Sequence, residues 1–180
     1  VLRRSLDDHR IPLFRGSVAW RATLPLDRAP NELQGVETGL WLGRDGHVVH
    51  YPIAGGRLLN MVVVRRAREP VEGWSAPGDP AEIRAGFADA AEPLRRLIAA
   101  PEEWLRWSLL DLPVGTMAKG RLALLGDAAH PVLPFLAQGA ALAIEDAVCL
   151  AEQLGGGLDV PDALASYARR RMPRAKRVQD

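Results

Sequence analysis

The pattern of apolar and polar positions predicts strands in the first part of the chain. Runs of alternating or continuously apolar residues, bounded by Gly, Pro and Asp, predict strands at residues 16–25, 36–42, 47–53 and 58–66. Asp45-Gly46 favours a hairpin turn, because Gly tolerates the positive φ that such turns require. Neighbouring strands with short connections indicate an antiparallel sheet.

Helices are predicted after a Pro- and Gly-rich linker at residues 69–79. Asp79-Pro80-Ala81-Glu82 combines an acceptor cap, a Pro in the first turn and a Glu three residues after the cap. This pattern predicts a helix over 80–90, and a second one ends near Ala99. Residues 104–110 form a further candidate strand.

The clearest pattern lies after residue 120. Leu122 to Leu125 is a short apolar run, typical of a strand buried on both faces. A helix is predicted from about Gln138 to Leu154, ended by three Gly residues. Another begins near Pro161 and reaches at least Met172. The first helix carries apolar residues on one face: Ala140, Ile144, Ala147, Val148, Ala151 and Leu154.

Composition narrows the class of protein. The 180 residues are 48% hydrophobic with a net charge of +1, which is typical of a globular protein with no general attraction to nucleic acid or anionic membranes. No apolar run approaches the roughly 20 residues of a membrane-spanning helix. The single Cys149 excludes an intrachain disulfide and fits a reducing compartment. A cytoplasmic protein is expected.

Two segments are candidates for ligand chemistry. Asp127 follows an apolar strand, so its carboxylate can accept hydrogen bonds from ribose hydroxyls, although a capping or turn role is commoner for such an Asp. The run Gln138-Gly139-Ala140-Ala141 opens a helix whose unpaired N–H groups can face an anionic ligand. These small residues equally suit close helix packing, so both interpretations stay open.

His47 and His50 are the candidates for a metal or substrate site. They lie three residues apart on a strand, so their side chains point to opposite faces, and no Cys or third His is near in the sequence. A metal site is therefore not predicted. One of the two is a candidate to bind an aromatic substrate as hydrogen-bond donor or base.

The whole segment GRLALLGDAAHPVLPFLAQGAALAIEDA, residues 120–147, closely resembles the GD motif of the FAD-dependent aromatic hydroxylases, single-component flavoprotein monooxygenases. The run from Leu133 to Ala141 is most similar to the salicylate-hydroxylase-type branch. Many relatives have Gly before the Gln-Gly pair, where this chain has Ala137. The resemblance extends to Ala19–Ala22, to residues 47–52 in the substrate domain, and to the terminal helix around Tyr167.

The resemblance implies roles for individual residues. Asp127 would bind the FAD ribose, residues 138–141 would lie along the pyrophosphate and flavin, and Pro134 would lie beside the ring, near the substrate. Val1-Leu2-Arg3 resembles the end of the family's second Asp-Gly motif. The residues expected to bind the cofactor are Arg3, Gly126, Asp127, Pro134, Gln138, Gly139, Ala140 and Ala141.

The implied fold is α+β, part of an α/β FAD-binding fold. An antiparallel substrate-domain sheet (1–110) is followed by a strand–loop–helix FAD segment and C-terminal helices (111–180). The family's Gly-rich βαβ fingerprint has no counterpart in this sequence. The chain is therefore expected to be a fragment, in which FAD binds weakly or not at all.

The resemblance also implies an activity for the intact enzyme. FAD would be reduced by NADH or NADPH, and one oxygen atom of O₂ would be transferred to a small phenolic or salicylate-like compound. The alternative hypothesis is a catalytically silent fragment that binds a small aromatic molecule or a partner. A homodimer and a complementing N-terminal segment both stay open as partners.

Overall fold

The computed structural model describes residues 2–179. Val1 and Asp180 lie outside the described residues. Val1 is the first residue of the segment that resembles the family's second Asp-Gly motif. The chain divides into two units. The sheet unit is Phe14–Leu109, and the helical unit contains the residues up to Leu13 together with those from Leu110 onward.

A six-stranded sheet in the order β2-β3-β4-β1-β6-β5 forms the framework of the sheet unit. The pairs β2/β3, β3/β4, β4/β1 and β5/β6 are antiparallel, which confirms the predicted sheet. The strands are β1 Leu13–Pro25, β2 Gly39–Gly43, β3 Gly46–Ile53, β4 Leu58–Arg66, β5 Ala76–Gly78 and β6 Trp104–Asp111.

One face of this sheet and two short helices, α1 (Pro80–Ala85) and α2 (Glu92–Ala99), form the core of the sheet unit. Val48, Met61 and Val63 are fully buried on this face. Trp20 and Trp104 meet edge to face there, with ring centroids 6.5 Å apart, a geometry that aromatic pairs prefer.

The first helix starts as predicted but ends early. Asp79 accepts a hydrogen bond from the Ala81 N–H at 2.8 Å, so the predicted cap is confirmed. The predicted extension to residue 90 is wrong, because the helix ends at Ala85 and the chain turns at Gly86. The Arg65 guanidinium occupies the space where a side chain at residue 86 would lie, 1.9 Å from the ideal Cβ position.

The hairpin at Asp45-Gly46 exists, but the reason for its glycine differs from the expected one. The turn residues are Arg44 and Asp45, between the paired Gly43 and Gly46. Gly46 is absent from the positive-φ residues of the described chain. Instead, a Cβ at residue 46 would lie 2.0 Å from the Val64 carbonyl oxygen, so glycine allows the close approach of β3 to β4.

The helical unit contains a two-stranded hairpin and two long helices. The hairpin pairs β7 (Ala118–Lys119) with β8 (Leu122–Ala123), and the helices are α3 (Gly139–Gly155) and α4 (Val160–Gln179). The predicted strand 122–125 is therefore only two residues long. Its interpretation as buried on both faces is wrong, since Leu122 and Ala123 are half-buried and Leu125 is 39% exposed.

The helix α3 buries the face opposite to its apolar row. Its buried residues are Leu142, Asp146 and Gln153, whereas the predicted apolar face is exposed, with Ile144 66% and Val148 56% accessible. Polar and ionic contacts to α4 and to the preceding loop fix this orientation, because Asp146 lies at the centre of them. Within residues 2–179, no helix has the length and apolar character needed to cross a bilayer.

Candidate functional site

The turn at Gly126-Asp127 is a single 3₁₀ turn that presents the Asp127 carboxylate to solvent. Gly126 has φ +55°, and its carbonyl oxygen accepts hydrogen bonds from the N–H groups of Ala129 and His130, both at 2.9 Å. A left-handed φ at this position favours glycine. The turn therefore leaves Asp127 exposed while Ala129 and His130 are buried beneath it.

The start of α3 lies beside this carboxylate. The Asp127 Oδ1 atom is 3.7 Å from the ideal Cβ position of Gly139, the first residue of the helix. The preceding residue, Gln138, provides no side-chain cap for the first turn in the described chain. A carboxylate and a helix N-terminus are thus within reach of one ligand, the arrangement on which the sequence interpretation depends.

The loop between them contains Pro134 and ends in an unusual backbone conformation. Pro134 is exposed and begins a 3₁₀ turn, Pro134–Leu136. Ala137 follows with φ +51° and ψ +28°, a left-handed conformation that a residue with a Cβ rarely adopts. Of the other predicted residues, Ala140 is exposed and Ala141 is half-buried in the first turn of α3.

Arg3 holds the outer side of the Asp127 turn. Its Nε donates to the Ala128 carbonyl oxygen at 2.7 Å, and its Nη2 donates to the Asp127 carbonyl oxygen at 2.8 Å. The third nitrogen, Nη1, is buried and lacks a hydrogen-bond partner within the described chain. Arg3 thus contacts the turn through the backbone and leaves the Asp127 carboxylate to other partners.

Asp146 holds the inner side of the same turn and was given no role from the sequence. It is fully buried, and its carboxylate accepts hydrogen bonds from the Gly126 N–H at 2.9 Å and from Arg171 Nε at 2.7 Å. His130 Nε2 lies 2.5 Å from the same carboxylate. Burial alone would raise the pKa of Asp146, but these three partners lower it below its usual value. No local sequence pattern marked it, because its partners lie 16 to 25 residues away in the sequence.

The two candidate histidines are on opposite faces of the sheet, as predicted. His50 is on the core face and only 4% exposed, and burial lowers its pKa, which favours the neutral imidazole. His47 is half-buried on the other face, because side chains three residues apart on a strand point to opposite faces. Tyr51 is on the same side as His47.

The face that carries His47 also contains polar residues that the sequence interpretation missed. Tyr51 pairs with Asn60, and Arg21 Nε donates to Asn60 Oδ1 at 2.9 Å. Asn60 is 1% exposed, and its Nδ2 has no hydrogen-bond partner among residues 2–179. Residues 2–179 contain no cluster of three His, Cys, Asp or Glu residues suited to hold a metal ion.

With this geometry established, comparison with known proteins identifies the family. A family model described as an FAD binding domain matches residues 23–180. The chain belongs to this FAD-binding domain family. The resemblance to the FAD-dependent aromatic hydroxylases is thereby confirmed.

Several relatives of this FAD-binding domain chain have named activities. It is 40% identical over 169 residues to 3-hydroxybenzoate 6-hydroxylase 2 of Aquipseudomonas alcaligenes, covering 93% of this chain and 53% of the relative. It is 42% identical over 181 residues to a 3-amino-4-hydroxybenzoate 2-monooxygenase of Streptomyces platensis, covering 99% of this chain and 46% of the relative.

Solved structures of relatives share the fold. A salicylate hydroxylase in complex with substrate matches with a TM-score of 0.84 at 32% identity, covering 99% of this chain and 48% of that one. Klebsiella pneumoniae HpxO, solved with FAD and uric acid, matches with a TM-score of 0.79 at 26% identity, covering 97% and 44%. The chain spans about half the length of the relatives it matches.

Proposed function

We propose that this chain contributes the FAD-contacting turn and helix, and the substrate-binding sheet, of a monooxygenase that hydroxylates a small phenolic or salicylate-like compound with NADH or NADPH and O₂. The observation that carries the proposal is the 3.7 Å separation between Asp127 Oδ1 and the Cβ position of Gly139. The activities of the named relatives support the reaction class.

The residues at this site fit FAD. An exposed carboxylate suits ribose hydroxyls, and the N–H groups at the start of a helix suit the anionic parts of the cofactor. Gly139 and the two Ala residues after it leave the backbone accessible. We assign Asp127 to the ribose, residues 138–141 to the pyrophosphate and flavin, and Pro134 to the edge of the ring. FAD, when bound, supplies the oxygen-activating redox chemistry.

The polar face of the sheet is our candidate for the substrate. His47, Tyr51 and Arg21 share the face, and the Asn60 Nδ2 donor has no partner within the described residues. Donors and a cation suit the carboxylate or phenolate of a hydroxybenzoate. We therefore favour His47 over His50 as the substrate-binding histidine, since His50 is 4% exposed on the core face.

We also propose a complementing segment as the partner of this chain. The relatives are about twice as long, and α3 exposes apolar side chains at Ile144, Val148 and Leu154. A row of exposed aliphatic residues on one helix is typical of a surface that another polypeptide segment covers. A homodimer through the same row is the alternative, and a cytoplasmic location stays a prediction.

FAD titration of the purified chain, alone and with a complementing N-terminal half from a relative, tests the flavin site. Asp127→Ala should weaken FAD binding by about 10- to 100-fold, because hydrogen bonds to a charged group contribute about 1.5–3 kcal/mol. The midpoint of urea unfolding should not change, since Asp127 is exposed. Asp89→Ala, an exposed Asp in the sheet unit, is the matched control. Equal affinity of the wild type and Asp127→Ala would assign Asp127 a turn role only.

The alternative, a catalytically silent fragment, predicts a different result. Half the length of the relatives is present, so the chain can retain the turn and the helix and still lack affinity for FAD. A colourless wild-type protein with no change in flavin fluorescence, alone and with a complementing N-terminal half from a relative, would support the silent fragment and contradict the proposed function.

A further inference from the structure

We propose that Asp146 is a positioning residue for the flavin site, setting the place of the Asp127 carboxylate through the Gly126 N–H and the His130 ring. This inference rests on the proposed function, because it assigns Asp127 to FAD. It adds a residue that lies beneath the site and is fully buried.

Asp146 contacts both ends of the turn that carries Asp127. Its Oδ2 atom accepts a hydrogen bond from the Gly126 N–H at 2.9 Å, at the start of the turn, and lies 2.5 Å from His130 Nε2, at the end. The two ends are also joined by the hydrogen bond from the His130 N–H to the Gly126 carbonyl oxygen at 2.9 Å. Asp127 and Ala128 are the residues between these fixed points.

Asp146 is itself held in one orientation. Its second oxygen, Oδ1, accepts the 2.7 Å hydrogen bond from Arg171 Nε on α4. Arg171 also pairs with Glu145 at 2.8 Å. A buried carboxylate whose two oxygens have different, charged or polar partners cannot rotate without breaking one of these contacts. The position of α3, which also supplies the helix N-terminus at Gly139, is thereby coupled to the position of the turn.

Glu145 offers a matched control on the same helix. It also interacts with Arg171, and it forms a bidentate pair with Arg174 at 3.1 and 3.2 Å. Its carboxylate is partly exposed and pairs with these two arginines. If only the α3–α4 ion pairs mattered, FAD affinity would therefore fall in Glu145 and Asp146 variants alike. If the position of the turn matters, FAD affinity falls only in Asp146 variants.

A double-mutant cycle on FAD affinity tests the inference. We expect Asp146→Asn to weaken FAD binding by about tenfold, as loss of one charge-assisted hydrogen bond does, and Glu145→Gln to leave affinity within about twofold. In the Asp127→Asn background, Asp146→Asn should cost little further affinity, because the carboxylate it positions is already absent. Equal losses in both backgrounds, or equal effects of Asp146→Asn and Glu145→Gln, would overturn the inference.

Hydrogen exchange in the flavin-free chain gives an answer even if the wild type binds no FAD. A wild type that binds no FAD even with a complementing N-terminal half would contradict the proposed function, but it would not contradict the positioning role. Asp146→Asn should speed exchange of the Gly126 and His130 amides by at least about tenfold, while amides in the centre of α4 keep their protection. A uniform loss of protection, or an unchanged Gly126 amide, would overturn the positioning role. If Asp146→Asn fails to fold, His130→Gln tests the same link from the turn.

Discussion

At the residue scale, Ala137 is the clearest conflict between local sequence and local structure. It follows the Pro134–Leu136 turn with φ +51°, where a Cβ is unfavourable. The sequence already showed a difference from the family at this position, since many relatives have Gly before the Gln-Gly pair. The backbone gives the physical reason, because the loop needs a left-handed residue to direct the chain into α3.

Replacing Ala137 with Gly should therefore stabilise the protein. We expect the free energy of unfolding to rise by about 0.5–1 kcal/mol, since relief of the left-handed strain exceeds the extra entropy of Gly in the unfolded chain. Urea denaturation followed by circular dichroism measures the change. Ala147→Gly, in the exposed interior of α3, is the control and should lower the stability by about 1 kcal/mol. If Ala137→Gly and Ala147→Gly are both less stable than the wild type, the inference that Ala137 is strained is wrong.

Asp127 and Asp146 show what residue patterns can and cannot reveal. The Gly-Asp pair after an apolar run indicated Asp127, because a carboxylate at the end of a strand can accept hydrogen bonds from a ligand. Asp146 gave no such signal, because its role comes from Gly126 and His130, 20 and 16 residues away in sequence. Arg171 is likewise buried against Asp146, although it lies in a run of three arginines in the sequence.

At the element scale, the sheet was predictable and the helix orientation was not. Strand β4 was predicted with the observed bounds, Leu58–Arg66, because a short apolar run rich in Val and bounded by turn residues defines a strand locally. The apolar row of α3 was visible in the sequence, but periodicity reveals a face and not what covers it, and in the described chain this face is exposed. The buried face is chosen by Asp146 and its partners, which only the tertiary structure brings together.

The segment after the N-terminal 3₁₀ turn, Leu2–Leu6, offers a pH prediction at this scale. Asp8 and Arg10 form a two-pronged ion pair, with oxygen–nitrogen distances of 2.6 and 2.8 Å, and Arg10 also donates to the Pro113 carbonyl oxygen. The Arg10 hydrogen bond lowers the pKa of Asp8 from 3.8 to about 2. Because the folded-state pKa is the lower one, the pair stabilises the fold above pH 3.8, and this contribution is lost as the pH falls through about 2.

Asp8→Asn should therefore make stability less dependent on pH between 4 and 2. We expect the slope of unfolding free energy against pH to decrease by up to about one proton in this window, as linkage requires. Chemical denaturation at a series of pH values measures the slope. Asp89→Asn, at an exposed Asp of the sheet unit, is the control. A slope that is unchanged in Asp8→Asn would show that the pair contributes no pH-dependent stability.

At the scale of the whole molecule, the exposed row on α3 and the length of the relatives both support the proposed complementing segment. Ile144 and Val148 are 66% and 56% exposed although the helix buries Asp146 and Gln153. A surface helix of a globular protein normally buries its aliphatic residues and exposes its charged and polar ones. The arrangement is reasonable if a further segment covers the row, and the relatives are about twice as long as this chain.

The double variant Ile144→Asp, Val148→Asp tests this inference. The chain itself should fold with unchanged stability, within about 0.5 kcal/mol, because both side chains are exposed and substitutions at such positions have small effects. Association with the N-terminal half of 3-hydroxybenzoate 6-hydroxylase 2, measured by analytical ultracentrifugation and by retained FAD, should fall at least about tenfold, because two charges in an apolar interface are costly to desolvate.

The control is Glu152→Gln, an exposed α3 position outside the row, which should associate like the wild type. A wild-type chain that is dimeric alone, and becomes monomeric in the double variant, would assign the row to a second copy of the chain instead. Equal association of the double variant and the wild type would show that the row is not the interface. The three results differ because the row is covered by the N-terminal half in the first, by a second copy of the chain in the second, and by neither in the third.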